Sequence, residues 1–288
     1  MIGTVIGDVV GSVYEFDNIR RKDFPLFSKD CEATDDSIMA IAVADAMMEA
    51  QDSGSPFQQV LCEKFRSYGA RYPHPMGSYG GNFSLWLRDK SMGPYNSCGN
   101  GSAMRVAACG FAAGSLEEAR ELAAQSASVT HNHPDGIAGA QAVSEAIFLA
   151  RHGGSKQEIE NAVNQYYPEI PESIEHLQKT YHWGSLCSDT IPQAVACFLQ
   201  SDSFEDAIRN AISIGGDSDT LGAITGGIAE AFYGVPLEIA QEAKRRTPPE
   251  LVEVLERFEK RYQNQKGLLI IRFMQKFRRK QLTELLMK

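Results

Sequence analysis

The sequence predicts an all-α fold, and three observations carry that prediction. Most of its 288 residues scan with helical spacing, while the alternation of β-branched residues between turn signals that marks strands is scarce. Residues 35–50, Asp-Asp-Ser-Ile-Met-Ala-Ile-Ala-Val-Ala-Asp-Ala-Met-Met-Glu-Ala, are apolar on nearly every face, the pattern of a helix buried at the centre of a domain. Residues 217–233 behave likewise, with Leu221, Ile224, Ile228 and Phe232 at helical spacing and Gly222, Gly226 and Gly227 forming a small-residue side that implies close helix packing.

The first segment, Met1-Ile2-Gly3-Thr4-Val5-Ile6, is apolar, but no basic stretch precedes it and Asp8 interrupts it, so it does not read as a signal peptide. Gly3, Gly7 and Gly11 are spaced by four, which fails the G-x-G-x-x-G pattern and reads instead as a helix face for close packing. Further helices are expected over 56–69, 101–112, 116–129, 135–152, 155–165, 171–180, 188–199, 203–213, 236–244 and 249–263, many opened by Ser, Asp or Pro. Loops hold the glycines and prolines of Tyr72-Pro73-His74-Pro75-Met76-Gly77 and Ser91-Met92-Gly93-Pro94. The tail, 266–288, is rich in Lys and Arg alternating with Leu, Ile, Phe and Met, and reads as a basic amphipathic helix appended to one domain at 1–265.

A hydrophobic content of 43% supports one large core. A formal net charge of -9 argues against broad nucleic-acid binding, which needs a basic face to neutralise phosphates. The six cysteines include no C-x-x-C pair, so a reducing compartment and no structural zinc are expected. No apolar run approaches the roughly 20 residues that span a bilayer. The expectation is a soluble, cytoplasmic protein with no transmembrane segment.

The strongest chemistry lies in two short segments, Thr34-Asp35-Asp36-Ser37 and Gly215-Gly216-Asp217-Ser218-Asp219-Thr220. Each places two carboxylates and a hydroxyl within four residues. Neighbouring residues on a regular helix point in different directions, so these oxygens converge only where the chain is still turning into the helix, and Gly215 and Gly216 supply such a turn. Either segment alone is explained as an N-cap whose charge complements the helix dipole. Together they precede two buried apolar helices, where several carboxylates are costly unless a cation neutralises them. An all-oxygen donor set selects Mg²⁺, Mn²⁺ or Ca²⁺, and four carboxylates balance two divalent ions. Hydrolysis by a water activated between two metals is the natural chemistry.

Five motifs in this order, Gly-Asp-Val-Val-Gly-Ser-Val-Tyr-Glu-Phe at 7–16, Thr-Asp-Asp-Ser at 34–37, Gly-Asn-Gly-Ser-Ala-Met-Arg at 99–105, Thr-His-Asn-His-Pro at 130–134 and Gly-Gly-Asp-Ser-Asp-Thr at 215–220, resemble the ADP-ribosylglycohydrolase family, of the dinitrogenase-reductase-activating and ADP-ribosyl-acceptor hydrolase type. The resemblance covers roughly residues 1–235 and excludes the basic tail. It implies an orthogonal bundle of helices around a binuclear magnesium centre (manganese in some members), and release of ADP-ribose from protein side chains or from poly(ADP-ribose). Carried over by motif, Thr34, Asp35, Asp36, Asp217, Asp219 and Thr220 are the metal ligands, and Asp36 and Glu15 are the candidates for deprotonating the attacking water. Glu15 resembles the mobile-loop glutamate of the serine-type and poly(ADP-ribose)-cleaving branch more than the arginine-type branch. A non-catalytic ADP-ribose-binding or structural member of the family is the alternative, whose expected mark, loss of ligands, is not seen.

Glycines in Gly99-Asn100-Gly101-Ser102 allow backbone N–H groups to approach a pyrophosphate at a helix start, which makes Ser97, Gly99, Asn100, Gly101 and Ser102 candidate substrate-binding residues. The other reading is a turn and N-cap. Arg105 pairs with a phosphate or braces a buried carboxylate. His131, in the Thr-His motif, is expected to hydrogen-bond the ADP-ribose rather than to bind zinc, because no third soft ligand is near. Cys98 stands where some members carry an aromatic that stacks on adenine.

Overall fold

The computed structural model describes residues 1–262, so the expected helix at 266–288 lies outside the described residues. Fourteen helices run through Arg245, and a further one occupies 249–262. No strand is present among the described residues; the one β-bridge joins Gly99 to Leu186.

The centre of the fold is the pairing of α1 (Ile2–Gly11) with α13 (Ser218–Tyr233). Their glycine faces meet antiparallel. A methyl group placed on Gly3 would sit 2.3 Å from the Gly226 carbonyl oxygen, one on Gly7 1.8 Å from that of Gly222, and one on Gly11 2.5 Å from that of Ser218. The two backbones are therefore in contact with no side chain between them, as the spacing by four predicts. α2 (Asp35–Ser53) packs on α3 (Phe57–Arg71) and touches both central helices, and its middle is buried all round. Its one mid-helix acid, Asp45, accepts hydrogen bonds from Lys64 Nζ (2.7 Å), Tyr68 Oη (3.1 Å) and Arg257 Nη2 (3.0 Å).

Around this centre lie α7 (Leu116–Ser128), α8 (Pro134–Arg151), α9 (Lys156–Val163), α10 (Ile174–Thr180), α11 (Cys187–Leu199), α12 (Phe204–Ser213) and α14 (Leu237–Arg245), all within a few residues of their expected bounds. Ser115, Ser155, Ser173 and Ser203 cap α7, α9, α10 and α12, each accepting from a backbone N–H in the first turn, and Ser155 with Glu158 closes a capping box.

Two departures from the sequence reading matter for function. Residues Gly81–Arg88 form α4, a helix that short length and two leading glycines conceal from periodicity. The expected helix at 101–112 is two helices, α5 (Gly101–Met104) and α6 (Ala107–Ala112). The break falls at Arg105 and Val106, and Arg105 (φ -97°, ψ -1°) there turns its side chain into the interior between the rings of Phe65 and Phe83.

Candidate active site

The acidic helix starts converge, together with the loop after α1, on one cleft of about 320 Å³. Its lining includes Glu15, Asp35, Asp36, Asp217, Asp219 and Thr220 together with Ser97, Gly99, Asn100, Gly101, Arg105 and His131. Carboxylate oxygens of Glu15, Asp217 and Asp219 lie within 4.8 Å of one another.

Each acid is positioned by its local structure. Gly215 and Gly216 adopt φ of +69° and +80°, a left-handed turn that delivers Asp217 to the start of α13. Asp217 Oδ2 accepts from Asn100 Nδ2 at 2.7 Å, which ties this helix start to the one at α5. Asp219 Oδ1 accepts from the Thr220 amide at 2.9 Å, and Thr220 Oγ1 donates across the cleft to Asp36 Oδ2 at 3.4 Å. Asn18 clamps the Glu15 loop: its Nδ2 donates to the carbonyls of Tyr14, Glu15 and Gly216, and its Oδ1 accepts from the Gly216 amide at 2.7 Å. The exposed rings of Phe16 and Trp183 stack at 5.6 Å and 14°, a second link from the Glu15 loop to the segment before α11.

Thr34 and Ser102 are placed differently from the rest and do not line the cleft. Thr34 Oγ1 accepts from the Asp36 amide as an N-cap and donates to Asp8 Oδ1 at 2.7 Å. Ser102 Oγ donates inward to the Gly136 carbonyl at 2.7 Å. Of the glycine-loop amides, Gly99 donates to Ser97 Oγ (3.2 Å) and Asn100 to the Ser185 carbonyl (2.8 Å), while those of Gly101 and Ser102 have no acceptor among the described residues. Arg105 braces no carboxylate among the described residues. It is buried beneath the cleft, 4.5 Å from the Phe65 ring centroid and 5.5 Å from that of Phe83, and Nη2 donates to Thr130 Oγ1 at 2.7 Å.

Sequence reasoning missed Asp8. This acid is fully buried on α1, and its carboxylate accepts from the amides of Thr34 and Ser37 (3.0 Å each) and from the Thr34 hydroxyl, so it anchors the start of α2. A lone acid inside an otherwise apolar ten-residue helix was the signal. Tyr95 and Phe83, on the cleft wall, were also missed and carry no local motif.

Burial without a counter-charge shapes the electrostatics. It pushes the carboxyl of Asp8 up to about 6, and, with the charges of Asp217 and Asp8, that of Glu15 up to about 7. Burial first and neighbouring carboxylates second hold Asp35, Asp36 and Asp219 well above the ordinary range. Asp217 is raised by burial and held back by its hydrogen bonds. Glu15 Oε2 and Asp36 Oδ1 are buried and accept no hydrogen bond. Crowded acids with unpartnered oxygens, and donors that are all oxygen, fit a hard divalent cation.

Comparisons with known proteins agree with this fold. A solved chain described as an ADP-ribosylglycohydrolase-related protein complex superposes with a TM-score of 0.63 over 89% of this chain and 95% of that one, at 19% identity, which shows a shared fold. Among curated proteins, the ADP-ribosylarginine hydrolase Tri1 of Pseudomonas putida is 28% identical, covering 88% of this chain and 72% of its own. The ADP-ribosylhydrolase ARH3 of Homo sapiens is 25% identical (82% and 84%), and the ADP-ribosyl-[dinitrogen reductase] glycohydrolase of Rhodospirillum rubrum 24% (81% and 84%). The sequence profile of ADP-ribosylglycohydrolase matches residues 1–268, and the chain belongs to the ADP-ribosylglycohydrolase family.

Proposed function

We propose that this protein is a magnesium-dependent hydrolase that releases ADP-ribose from a glycosidic conjugate, an ADP-ribosylated protein side chain or a related polymer, in the cytoplasm. The observation that carries the reading is the convergence of five cleft carboxylates, raised by burial and, in four of them, by neighbouring carboxylates, with two buried oxygens left unpartnered. Asp35, Asp36, Asp217, Asp219 and Thr220, with Thr34 behind them, would hold two Mg²⁺ ions, for which Mn²⁺ is a chemical substitute. Bound there, the ions supply positive charge for the substrate hydroxyls and water that they meet.

The chain's own groups do the rest. Water adds its oxygen to the anomeric carbon as the bond to the acceptor atom breaks. Glu15 or Asp36, each lining the cleft and carrying one unpartnered oxygen, takes the proton from that water and the leaving group regains one. The remaining carboxylates stabilise the positive charge that develops on the ribose ring as the bond lengthens. Elsewhere along the cleft the amide of Gly101, with the side chains of Ser97 and His131 nearby, is suited to hold a diphosphate, while Asn100 braces Asp217. Because Glu15 lies on the loop after α1, in the motif of the serine-type and polymer-cleaving branch, we assign the acceptor linkage to an O-glycoside. Six free cysteines support the reducing compartment, and no helix among the described residues is long and apolar enough to cross a membrane.

The test offers arginine-linked, serine-linked and polymeric ADP-ribose in parallel, with magnesium and with EDTA, and identifies products by mass. Magnesium-dependent release of free ADP-ribose, lost in Asp217→Asn, is expected. Turnover in EDTA, or binding of every conjugate with no turnover, overturns the reading, the latter in favour of a binding protein.

A further inference from the structure

We propose that Cys98 and Cys187 form a reversible redox site: a peroxide oxidises the half-buried Cys98, Cys187 closes a disulfide onto it, and the bridge deforms the glycine loop of the cleft. That the deformed loop holds ADP-ribose less well rests on the function proposed above; the bridge itself does not.

Backbone pairing sets the two residues opposite each other. Gly99 and Leu186 form an antiparallel bridge, flanked by hydrogen bonds from the Cys187 amide to the Cys98 carbonyl (3.0 Å) and from the Asn100 amide to the Ser185 carbonyl (2.8 Å). Cys98 and Cys187 are therefore directly opposed, with their side chains leaving the same face. Across the one hydrogen bond between them, standard bond lengths keep their Cα atoms at most about 6.9 Å apart, and about 5.5 Å is usual for such a pair. A disulfide spans about 4.4–6.8 Å between Cα atoms. Opposed Cβ atoms stand about 4.5–5.5 Å apart and a disulfide holds them at about 3.8 Å, so closure needs an approach of about 1 Å.

The two thiols differ as an attacking and a resolving cysteine should. Cys98 is partly exposed, between Ser97 and Gly99 of the cleft lining. Cys187 is fully buried, and burial pushes its thiol up to about 12, with Cys98 among the neighbours that add to the rise. The first attack therefore belongs to Cys98, whose thiolate bonds to one oxygen of hydrogen peroxide. The O–O bond breaks, and the departing hydroxide gains a proton and leaves as water. Cys187 Sγ then attacks the sulfenic acid so formed; the S–O bond breaks, the S–S bond forms, and the hydroxyl leaves with the Cys187 proton as a second water. The two thiols lose two electrons and the peroxide gains them. A dithiol such as dithiothreitol reverses the bridge by exchange.

The bridge changes how the glycine loop is held. Cys187 Sγ donates to the Gly99 carbonyl at 3.1 Å and lies 3.6 Å from Ser102 Oγ. To reach Cys98 the sulfur must leave that carbonyl. Cys187 is fixed at the start of α11, which packs on α13, so the loop at 97–101 makes the approach.

The full chain, with magnesium present, is treated with hydrogen peroxide, blocked with iodoacetamide, digested with trypsin without reduction and analysed by mass. Residues 91–105 should be joined to 180–209, with fragmentation placing the link at Cys187 rather than Cys197, and dithiothreitol should release it. Calorimetry on the same samples should show ADP-ribose affinity lowered about tenfold by peroxide, the size of one to two neutral hydrogen bonds, and restored by dithiothreitol. Cys187→Ala should lose the link and let Cys98 oxidise onward to sulfinic acid. A wild type whose Cys98 stays reduced, reaches sulfinic acid unlinked or joins Cys197 overturns the site, and the wild type decides even if the variant fails to fold. A complete link with unchanged ADP-ribose affinity overturns the effect on the loop. If the link forms but the reduced protein does not bind ADP-ribose, the redox site stands and the functional reading fails.

Discussion

Gly7→Ala tests whether backbone contact between α1 and α13 builds both the fold and the site. In a helix interior this substitution alone favours folding by up to about 1 kcal/mol. Here the new methyl would lie 1.8 Å from the Gly222 carbonyl oxygen and 2.1 Å from its carbon. Ordinary contacts need about 3.5 Å, so the helices must part by about 1.5 Å or more, and neither backbone can rotate away as a side chain would. Overpacking costs about 1–3 kcal/mol where side chains yield, and backbone against backbone belongs at or above the upper limit. The net loss is about 2 kcal/mol or more, a fall in Tm of about 4–8 °C for a chain of this size. Urea unfolding at fixed magnesium reads it, and Gly81→Ala, with open space around it, serves as the neutral control. Because α1 carries Asp8 and α13 carries Asp219, magnesium-dependent turnover should fall with stability. An unchanged or raised Tm in Gly7→Ala, with activity intact, would refute the packing argument.

Three more outcomes follow from the site. In EDTA, stability should fall as pH rises from about 4 to 7: raised acids such as Asp8 (3.8 to about 6) and Glu15 (4.5 to about 7) stabilise fully below their unfolded values and lose that contribution through the folded ones. Asp8 alone accounts for about 3 kcal/mol at about 1.36 kcal/mol per unit. His131, depressed by burial, works the other way but is one group against six raised cleft or cleft-anchoring acids, and magnesium should flatten the slope; chemical denaturation that shows stability rising over this range would contradict the crowding. Glu15→Gln should lower kcat by about 10²-fold or more with magnesium affinity nearly kept, since proton transfer is what it removes; a change confined to KM would reassign Glu15 to binding. Trp183→Ala removes the stack with Phe16, worth about 0.5–1.5 kcal/mol, and should loosen the Glu15 loop, lowering turnover about threefold to tenfold with global Tm little changed. Equal turnover would show that the hydrogen bonds of Asn18 and Ser218 hold the loop without the stack.

What the sequence discloses about this molecule divides by the range of the interaction. The helix over 35–50, the left-handed Gly215-Gly216 turn and the serine caps depend on residues within a turn of one another, and all are found where expected. Asp8 depends on Thr34 and Ser37, which are brought to it only by packing, so its burial has no local signature. Arg105 is the same case. Its periodicity continues a helix, but the chain breaks there and its side chain takes an interior site between Phe65, Phe83 and Thr130. Ser102 reads as a cleft hydroxyl and instead finds a carbonyl on α8.

The glycine spacing links the two scales. As α1 advances by four residues its partner on α13 retreats by four, from Gly3 on Gly226 to Gly7 on Gly222 to Gly11 on Ser218. That register brings the end of α1 level with the start of α13. The next residues of the chain must then emerge beside Asp217 and Asp219, where Ser218 Oγ donates to the Tyr14 carbonyl at 3.0 Å and Asn18 holds the turn at Gly216. Glu15 thus reaches the acidic cluster because of where two helices of small residues cross. A periodic feature that reads as packing alone fixes which carboxylates can meet, and a single methyl at the crossing would move the chemistry as well as the core.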